Sequence, residues 1–250
     1  MRHFQCVILA FFALVSAAFA QDQVEVVFVN SDPVVAVHSN FRGQAITLFG
    51  NIEPTAGAPS GPYSVVVLVQ GPSSDWVVRE KERQFGLFLN SGSAHYAATP
   101  SYYAILSSSP LAQIADPEII GQPRLSLPGM AVLARSDEGA EDFDAEFVRL
   151  MRRSGRFVEE ERGVNMLSPT AFSVRVPLAS DVTNGLYLAR ALVFSNGQIV
   201  GEATTRFTVR TQGFERFVAD TARMNPALYG FATILLALLT GWLGGVLFKR

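Results

Sequence analysis

The feature that most constrains this chain is a run of 22 residues, 227–248, that contains no charged side chain. A helix of that length would extend about 33 Å, enough to cross the hydrocarbon core of a bilayer. Pro226 suits a first helical position, and the positive-inside rule would place Lys249-Arg250 in the cytoplasm. We therefore predict one transmembrane helix at 226–248 and a cytoplasmic end at 249–250. The alternative is a helix buried in a protein core.

The first 20 residues have the pattern of a secretory signal peptide. Arg2 and His3 precede an apolar run, and Ala18-Phe19-Ala20 matches a small-x-small cleavage site. The alternative is a permanent N-terminal anchor, for which the run is short because a span needs about 20 residues. The single cysteine, Cys6, belongs to this segment, so the exported chain has none. A cysteine-free domain without Asn-x-Ser/Thr sequences is typical of a bacterial periplasm.

Composition excludes several classes of protein. Hydrophobic residues make up 49% of the chain and charged residues 17%, which is incompatible with an intrinsically disordered chain. The net charge of −2 provides no basic excess for a phosphate backbone, so we predict no nucleic-acid partner. One cysteine excludes both a disulfide framework and a cysteine-based zinc site.

Between the two ends, short strand-like runs alternate with turn signals. Residues 44–53 alternate, with Ile46, Leu48, Gly50 and Ile52 on one face, as in a half-buried strand. Residues 63–69 are apolar on both faces, which is typical of a central strand covered on each side. Ser195-Asn196-Gly197 is the strongest hairpin signal, because Asn-Gly favours a type I′ turn.

About eight such strands predict a mainly β fold, namely an immunoglobulin-like β-sandwich in the periplasm with a helical insert. The predicted organisation is a signal peptide at 1–20, a sandwich at 21–212 with the insert at about 111–165, a juxtamembrane amphipathic segment at 213–225, a transmembrane helix at 226–248 and a cytoplasmic end at 249–250. Two smaller β-modules divided near residue 110 are the alternative to one sandwich.

The insert contains a helical pattern rich in arginine. Phe143, Phe147, Leu150 and Met151 recur at helical spacing, while the arginines of 149–156 lie on other faces. Asp142 is a suitable N-cap, and Gly155 or Gly163 would suit the helix end. The arginines are either an anion site or, as the simpler interpretation, a solvated face with acidic neighbours.

The segment Arg79-Glu80-Lys81-Glu82-Arg83 is a candidate partner-binding strand edge. On a strand its three basic residues share one face and its glutamates the other, which places the strand at a sheet edge or in a protruding hairpin. Charges there discourage strand-to-strand aggregation. The functional interpretation is a docking edge for an acidic partner or an anion, with Trp76, Arg79, Lys81 and Arg83 as its residues.

A second candidate contact surface lies in the C-terminal run. Thr233, Ala237, Gly241 and Gly245 recur every four residues and form a stripe of small side chains on one helix face. Small residues allow another helix to approach closely, so we predict contact with a second membrane protein or another copy of this chain. Ordinary glycine and alanine content of membrane helices is the alternative.

Catalytic and metal-binding motifs do not emerge from the sequence. His38 and His95 have no metal-spaced partner, and there is no Gly-x-Ser-x-Gly elbow, phosphate loop or dinucleotide glycine pattern. We therefore predict that the protein is not an enzyme and has no cofactor. A hydrolase using carboxylates is the least favoured alternative.

Four segments carry a resemblance to a known family: FRGQAITLFGNIEP, YSVVVLVQGP, VVREKERQFGLFLNSG and GFERFVADTARMNPALYGFATILLALLTGWLGGVLFKR. Together they resemble the alphaproteobacterial family of single-span transmembrane proteins of unassigned function. The resemblance covers nearly all of the exported chain and is strongest at 213–250. It implies a bacterial inner-membrane location and an accessory role beside a transporter, and it carries no residue roles.

These observations predict a single-pass inner-membrane protein whose N-terminal domain faces the periplasm. Its partners would be the lipid bilayer and another inner-membrane protein, or itself. We expect it to work by binding, as an accessory or assembly subunit of a membrane complex such as a transporter. The alternative is a periplasmic sensor or binding module for a small anion, using Arg79, Lys81 and Arg83 or the 149–156 arginines.

Overall fold

A computed structural model of the chain describes residues 24–37, 43–55, 57–59, 61–84, 86–211 and 222–247. The strands are β1 Glu25–Asn30, β2 Val34–Val37, β3 Gln44–Glu53, β4 Ser64–Gln70, β5 Ser73–Gln84, β6 Leu87–Pro100, β7 Tyr103–Ser107, β8 Phe157–Glu161, β9 Val164–Met166, β10 Ala171–Leu178, β11 Gly185–Ser195 and β12 Gln198–Thr211. The helices include α1 Leu111–Ile114, α2 Pro117–Ile120, α3 Leu127–Ala134, α4 Asp144–Arg153 and α5 Pro226–Leu247, with 3-10 turns at Pro123–Leu125 and Glu141–Phe143.

The strands of the described residues form three sheets. One has four strands in the order β1-β3-β10-β9, and one has six in the order β2-β12-β11-β4-β7-β8. Neighbouring strands are antiparallel in the registers that the structure describes, except for the parallel pair β7 and β8. Among the described strands, β5 and β6 pair with each other and make a two-stranded sheet, and Tyr96 of β6 also forms an isolated antiparallel bridge with Arg135. The chain divides into two compact units, residues 1–35 with 42–209 and residues 36–41 with 210–250.

The alternating pattern of β3 is borne out, because its predicted inward positions are buried. Ile46, Leu48 and Ile52 have at most 4% of their surface exposed, whereas Phe49 on the other face is 43% exposed. Gly50 also points inward, and a Cβ there would lie only 2.1 Å from the ring of Phe172 on the neighbouring strand. The glycine therefore makes room for a large core side chain.

The six-stranded sheet is covered on both faces within the larger unit. Residues 65–69 of β4 are all buried, as the sequence predicts for a central strand. On one face, residues of β4, β7, β8 and β11 share a hydrophobic cluster with the helical segment 111–153 and the base of the β5–β6 hairpin. The helical segment is therefore a structural layer, and it ends at Arg153, short of the predicted limit near 165.

Two local predictions can be compared directly with the structure. The Asn196-Gly197 turn joins β11 to β12, and both residues have positive φ, 51° and 83°, as a type I′ turn requires. Helix α4 begins at Asp144 and not beyond an N-cap at Asp142, because a 3-10 turn occupies Glu141–Phe143. Phe147 and Met151 are buried as expected, whereas Leu150 is 41% exposed.

The prediction of a C-terminal transmembrane helix is not supported. Helix α5 occupies the predicted position, yet none of the helices in the described part of the chain is long and apolar enough to cross a membrane. The fold-class prediction of an immunoglobulin-like β-sandwich plus a transmembrane helix at 226–248 is therefore wrong as a whole. Its mainly β part stands, with 49% of the described residues in strands.

Several predicted segments lie beyond what the structure describes. The signal peptide at 1–20, the cytoplasmic end at 249–250 and His38 are outside the described residues. So is most of the predicted juxtamembrane segment at 213–225, of which only 222–225 is described. The structure does not test these segments, so they stay predictions from the sequence.

Four buried tyrosines in the larger unit should make the folded state less stable at alkaline pH. Burial raises the pKa of Tyr103 and of Tyr187 to about 12, and burial also raises the pKa of Tyr96 and of Tyr102 above the usual range. In the unfolded chain a tyrosine ionises near pH 10. Because the folded pKa is the higher one, the stabilisation is complete below about pH 10 and is lost as the pH rises toward about 12.

We therefore expect the free energy of unfolding to fall above pH 10, by about 1.4 kcal/mol per pH unit for each buried tyrosine. Urea unfolding at a series of pH values measures this slope, while ultraviolet absorbance follows tyrosinate formation. We expect tyrosinate to appear together with loss of structure. Complete ionisation near pH 10 in a protein that stays folded would contradict the prediction.

Candidate functional site: the β5–β6 hairpin

The β5–β6 hairpin is a long ribbon whose two outer edges have no strand neighbour among the described residues. Gly86 lies in its turn with φ of +84°, and no atom lies within 4 Å of the position that a Cβ would take. The register shifts twice, between Ser74 and Trp76 and between Glu80 and Lys81. Such bulges bend a ribbon and increase its twist.

The base of the hairpin is held in the hydrophobic cluster under the helices. Val78 and Ala94 are at most 7% exposed, and Tyr96 is fully buried. The Tyr96 ring stacks on Phe147 of α4, with centroids 4.0 Å apart and planes inclined by 9°. The base is thus fixed to α4, while the charged half of β5 extends beyond it.

A buried polar network secures the same contact. The Tyr96 hydroxyl donates to one carboxylate oxygen of Asp144 at 3.0 Å, and Arg135 donates to the other at 2.5 Å. The side chains of Arg135 and Asp144 are each 15% exposed. Glu141 lies 3.2 Å from a second nitrogen of Arg135. Sequence reasoning missed this network, because its members lie on β6, after α3 and at the start of α4, and no local motif links them.

Trp76 belongs to the fold rather than to an outward surface. Its side chain is partly buried against the cluster, and the Arg156 guanidinium lies over its ring, 5.0 Å from the centroid. Arg156 is held in turn by Asp181 at 2.6 Å. The indole nitrogen is buried and has no hydrogen-bond partner within the described part of the chain. Trp76 therefore anchors β5, and a role in contacting a partner remains a prediction.

The three basic residues of the predicted docking edge are exposed on β5. Arg79, Lys81 and Arg83 are solvent-accessible, and none of them belongs to an ion pair among the described residues. Val77 on the same strand is 45% exposed, and Leu89 on β6 is 48% exposed. The structure thus brings uncommitted cations and apolar side chains together on one protruding ribbon.

A groove separates the hairpin from the start of α4. Its volume is about 410 Å³, and it is lined by Val78, Arg79, Glu80, Lys81, Asp142, Phe143 and Glu146. A Cβ at Gly92 would lie 3.1 Å from the Phe143 ring and 3.8 Å from the Glu80 carboxylate, so Glu80 faces the groove. The groove carries both signs of charge around an apolar floor, which suits a peptide or protein surface better than one small ion.

The arginines of 149–156 are largely committed to carboxylates. Arg149 binds Glu146 through two nitrogens at 2.5 and 2.7 Å, and this hydrogen bonding lowers the pKa of Glu146 and raises that of Arg149. Arg152 pairs with Glu159, and Arg156 pairs with Asp181. This arrangement agrees with the simpler interpretation, a solvated face with acidic neighbours.

Other chemistry-bearing residues remain scattered. The His95 backbone N–H donates to Asp137 at 2.9 Å, which ties β6 to the loop after α3. In the described ranges, no three His, Cys, Asp or Glu side chains are grouped so that they could hold a metal ion.

The predicted small-residue stripe lies on helix α5. Thr233, Ala237, Gly241 and Gly245 are exposed there, and a Cβ at either glycine would meet open space. The Thr233 hydroxyl donates to the carbonyl of Gly230 at 2.8 Å, so it is satisfied within its own helix. The stripe's role in binding another helix stays a prediction.

Comparison with known proteins decides the family. A family model described as "Putative transmembrane protein (Alph_Pro_TM)" matches residues 25–250. The chain belongs to this family. The resemblance inferred from the sequence is thereby confirmed, and membership in this alphaproteobacterial family indicates association with a membrane. The family description carries no activity and no residue roles.

Two further comparisons add little to the Alph_Pro_TM assignment. No curated protein matches the chain. Among solved structures, the chain is similar to one described as "Structural basis of T cell specificity and activation by the bacterial superantigen toxic shock syndrome toxin-1". That match has 9% identity and a TM-score of 0.26, covering 75% of this chain and 100% of the other. A likeness this remote supports no argument about fold or function.

Proposed function

We propose that this member of the family is a periplasm-facing, membrane-associated binding protein and not an enzyme. It acts as an accessory or assembly subunit of an inner-membrane complex such as a transporter. The observation that carries the proposal is the β5–β6 hairpin, a ribbon anchored at its base and exposed along its charged half. A firmly held base limits the conformational entropy lost on binding.

The chemistry of the hairpin supports a protein partner with an acidic surface. Arg79, Lys81 and Arg83 offer cations without ion-pair partners among the described residues, and Val77 and Leu89 offer exposed apolar area. An open strand edge also exposes backbone N–H and C=O groups that an extended segment can pair with. Charge complementarity would speed encounter and select against basic partners.

Two observations outside the hairpin support the proposed location, namely the sequence of the exported chain and the family to which it belongs. The signal-peptide pattern at 1–20 and the absence of cysteine beyond Cys6 support export to a bacterial periplasm. Family membership supports contact with the inner membrane.

Site-specific photocrosslinking in cells tests this function. A photoreactive amino acid at position 81 should give one discrete crosslinked product containing an inner-membrane protein. Reversing the flanking charges with Arg79→Glu and Arg83→Glu should reduce that product by about tenfold or more, since like charges across an interface cost several kcal/mol. The matched control reverses Arg153, an exposed arginine on α4, and should leave the crosslink unchanged.

Two outcomes would contradict the proposal. One is a diffuse set of products from position 81 that resembles the set obtained from position 153. The other is a discrete product that survives the charge reversals. The three hairpin residues are exposed, so these substitutions should alter stability by no more than about 0.5 kcal/mol. Circular dichroism and thermal melting of the variants check that the fold is intact.

The alternative function, a small-anion sensor built on the 149–156 arginines, has less support. Arg149, Arg152 and Arg156 each already bind a carboxylate, so an incoming anion would have to displace it.

A further inference from the structure

A small cleft lies on the helix-bearing face of the six-stranded sheet, and no residue of the β5–β6 hairpin lines it. Its volume is about 80 Å³, and its lining residues are Leu68, Gln70, Tyr103, Arg124, Leu188 and Arg190. No carboxylate belongs to this lining. Two arginines therefore face one small space that contains no acidic side chain.

Strand register explains why these residues meet. Arg190 of β11 pairs with Leu68 of β4, and Gln70 pairs with both Leu188 and Tyr103 on the two neighbouring strands. Alternate residues of a strand share a face, so Leu68 and Gln70 lie side by side on the floor of the cleft. The wall comes from the 3-10 turn Pro123–Leu125, which is held in place because the Tyr103 hydroxyl donates to the Arg124 carbonyl at 2.7 Å.

The electrostatics of the cleft favour an anion. The Arg124 and Arg190 charges both lower the pKa of Tyr103, against the larger effect of burial, so both guanidinium groups act on the same hydroxyl. Arg190 has one other partner, Glu202 at 3.3 Å, and both side chains of this pair are at least a third exposed. An exposed pair of this kind contributes little stability and leaves most Arg190 donors available. No ion pair involves Arg124 within the described residues.

We propose that this cleft binds a small oxyanion, such as phosphate, sulfate or the carboxylate of a small acid. Arg124 and Arg190 supply planar N–H donors that match oxyanion geometry, and the Gln70 amide supplies another donor. Leu68 and Leu188 place apolar surface beside these donors. The volume of about 80 Å³ suits a free small anion, and the phosphate of a lipid headgroup is the other source of the same chemistry. The inference is independent of the proposed function, because the hairpin contributes no residue to the cleft.

Thermal unfolding of the full chain with inorganic phosphate tests the site. Phosphate and sulfate should each raise Tm by several degrees in a saturable way, since a ligand that binds the native state stabilises it by mass action. Sodium chloride at matched ionic strength should not raise Tm in this saturable way. Arg124→Gln and Arg190→Gln should each weaken the apparent affinity at least tenfold, and Arg153→Gln, the matched loss of one exposed charge, should leave it unchanged. Gln70→Met keeps both charges and should weaken binding by a smaller factor.

Several results would overturn the inference. They are no saturable shift up to millimolar phosphate together with no Arg124-dependent binding to phosphatidylglycerol, an equal shift with chloride, or equal losses in Arg124→Gln and Arg153→Gln. Vesicles of phosphatidylglycerol and of phosphatidylcholine separate the two sources. Binding to phosphatidylglycerol that depends on Arg124 without any response to free phosphate would assign the site to a lipid headgroup and reject a free anion. If the cleft variants keep the crosslink from position 81, the hairpin interaction does not depend on the cleft, and the two proposals are tested independently.

Discussion

Replacing Asp144 with alanine should destabilise the protein by about 3–5 kcal/mol and lower Tm by roughly 10 °C. The substitution leaves the mostly buried Arg135 guanidinium with only the exposed Glu141 carboxylate nearby, and it leaves the buried Tyr96 hydroxyl without its Asp144 acceptor. A buried charge that loses its buried partner costs far more than the intact pair contributes, and the solvent-exposed Glu141 replaces little of that interaction. Urea unfolding of the full chain, followed by tryptophan fluorescence, measures the change.

Three companion variants separate charge from packing. Asp144→Asn removes the charge but keeps an oxygen for the Tyr96 hydroxyl, so its loss should be smaller. Arg135→Met with Asp144→Leu removes both members of the ion pair and should recover much of the stability. Asp142→Ala, which changes an exposed carboxylate two residues away, should stay within about 0.5 kcal/mol. Equal losses for Asp142→Ala and Asp144→Ala would contradict the buried network.

Replacing Phe147 with alanine should cost about 3–5 kcal/mol, because the substitution leaves a cavity at the centre of the helix-side cluster. Phe147 is 2% exposed, stacks on Tyr96 and meets Phe157 edge to face at 5.8 Å. The loss removes the ring that joins α4 both to the hairpin base and to the six-stranded sheet. We therefore expect the hairpin to open first, which hydrogen exchange of the β5 and β6 amides would detect.

Leu150 provides the matched control on the same helix. It is 41% exposed, so Leu150→Ala removes much less buried apolar surface and should cost clearly less than Phe147→Ala. Similar losses at the two positions would mean that α4 does not pack on the sheet through Phe147. Because Phe147 and Asp144 both support Tyr96, their combined effect should differ from the sum of the single effects.

The best sequence predictions were those that depend on neighbours in the chain. The alternation of residues 44–53 predicted both the bounds and the buried face of β3, because a strand repeats every two residues. The Asn196-Gly197 turn was predictable for a similar reason, since only a few residue types adopt positive φ at low cost. The charged strand was expected at an edge or in a hairpin, and β5 lies in a two-stranded ribbon.

The predictions that failed required knowledge of packing or of a whole element. A 3-10 turn replaced the expected N-cap at Asp142, and Leu150 faces solvent although it follows the helical pattern. The uncharged run predicted a transmembrane helix at 226–248, whereas none of the helices in the described part of the chain is long and apolar enough to cross a membrane. The packing of the Trp76 ring against the core under Arg156 likewise needed the tertiary structure, while its role as an interface anchor stays a prediction.

The sequence by itself determined the strand periodicity, the main turn, the family and the exposed basic character of residues 79–83, because each depends on residue type and local spacing. Only the tertiary structure decided which distant groups meet. Tyr96 joins Asp144 across 48 positions, and Arg124 shares a cleft with Arg190 although the two lie on different elements. Strand register and helix packing create these contacts, and neither is encoded in a local pattern. Both candidate binding surfaces, the hairpin and the oxyanion cleft, depend on that long-range geometry.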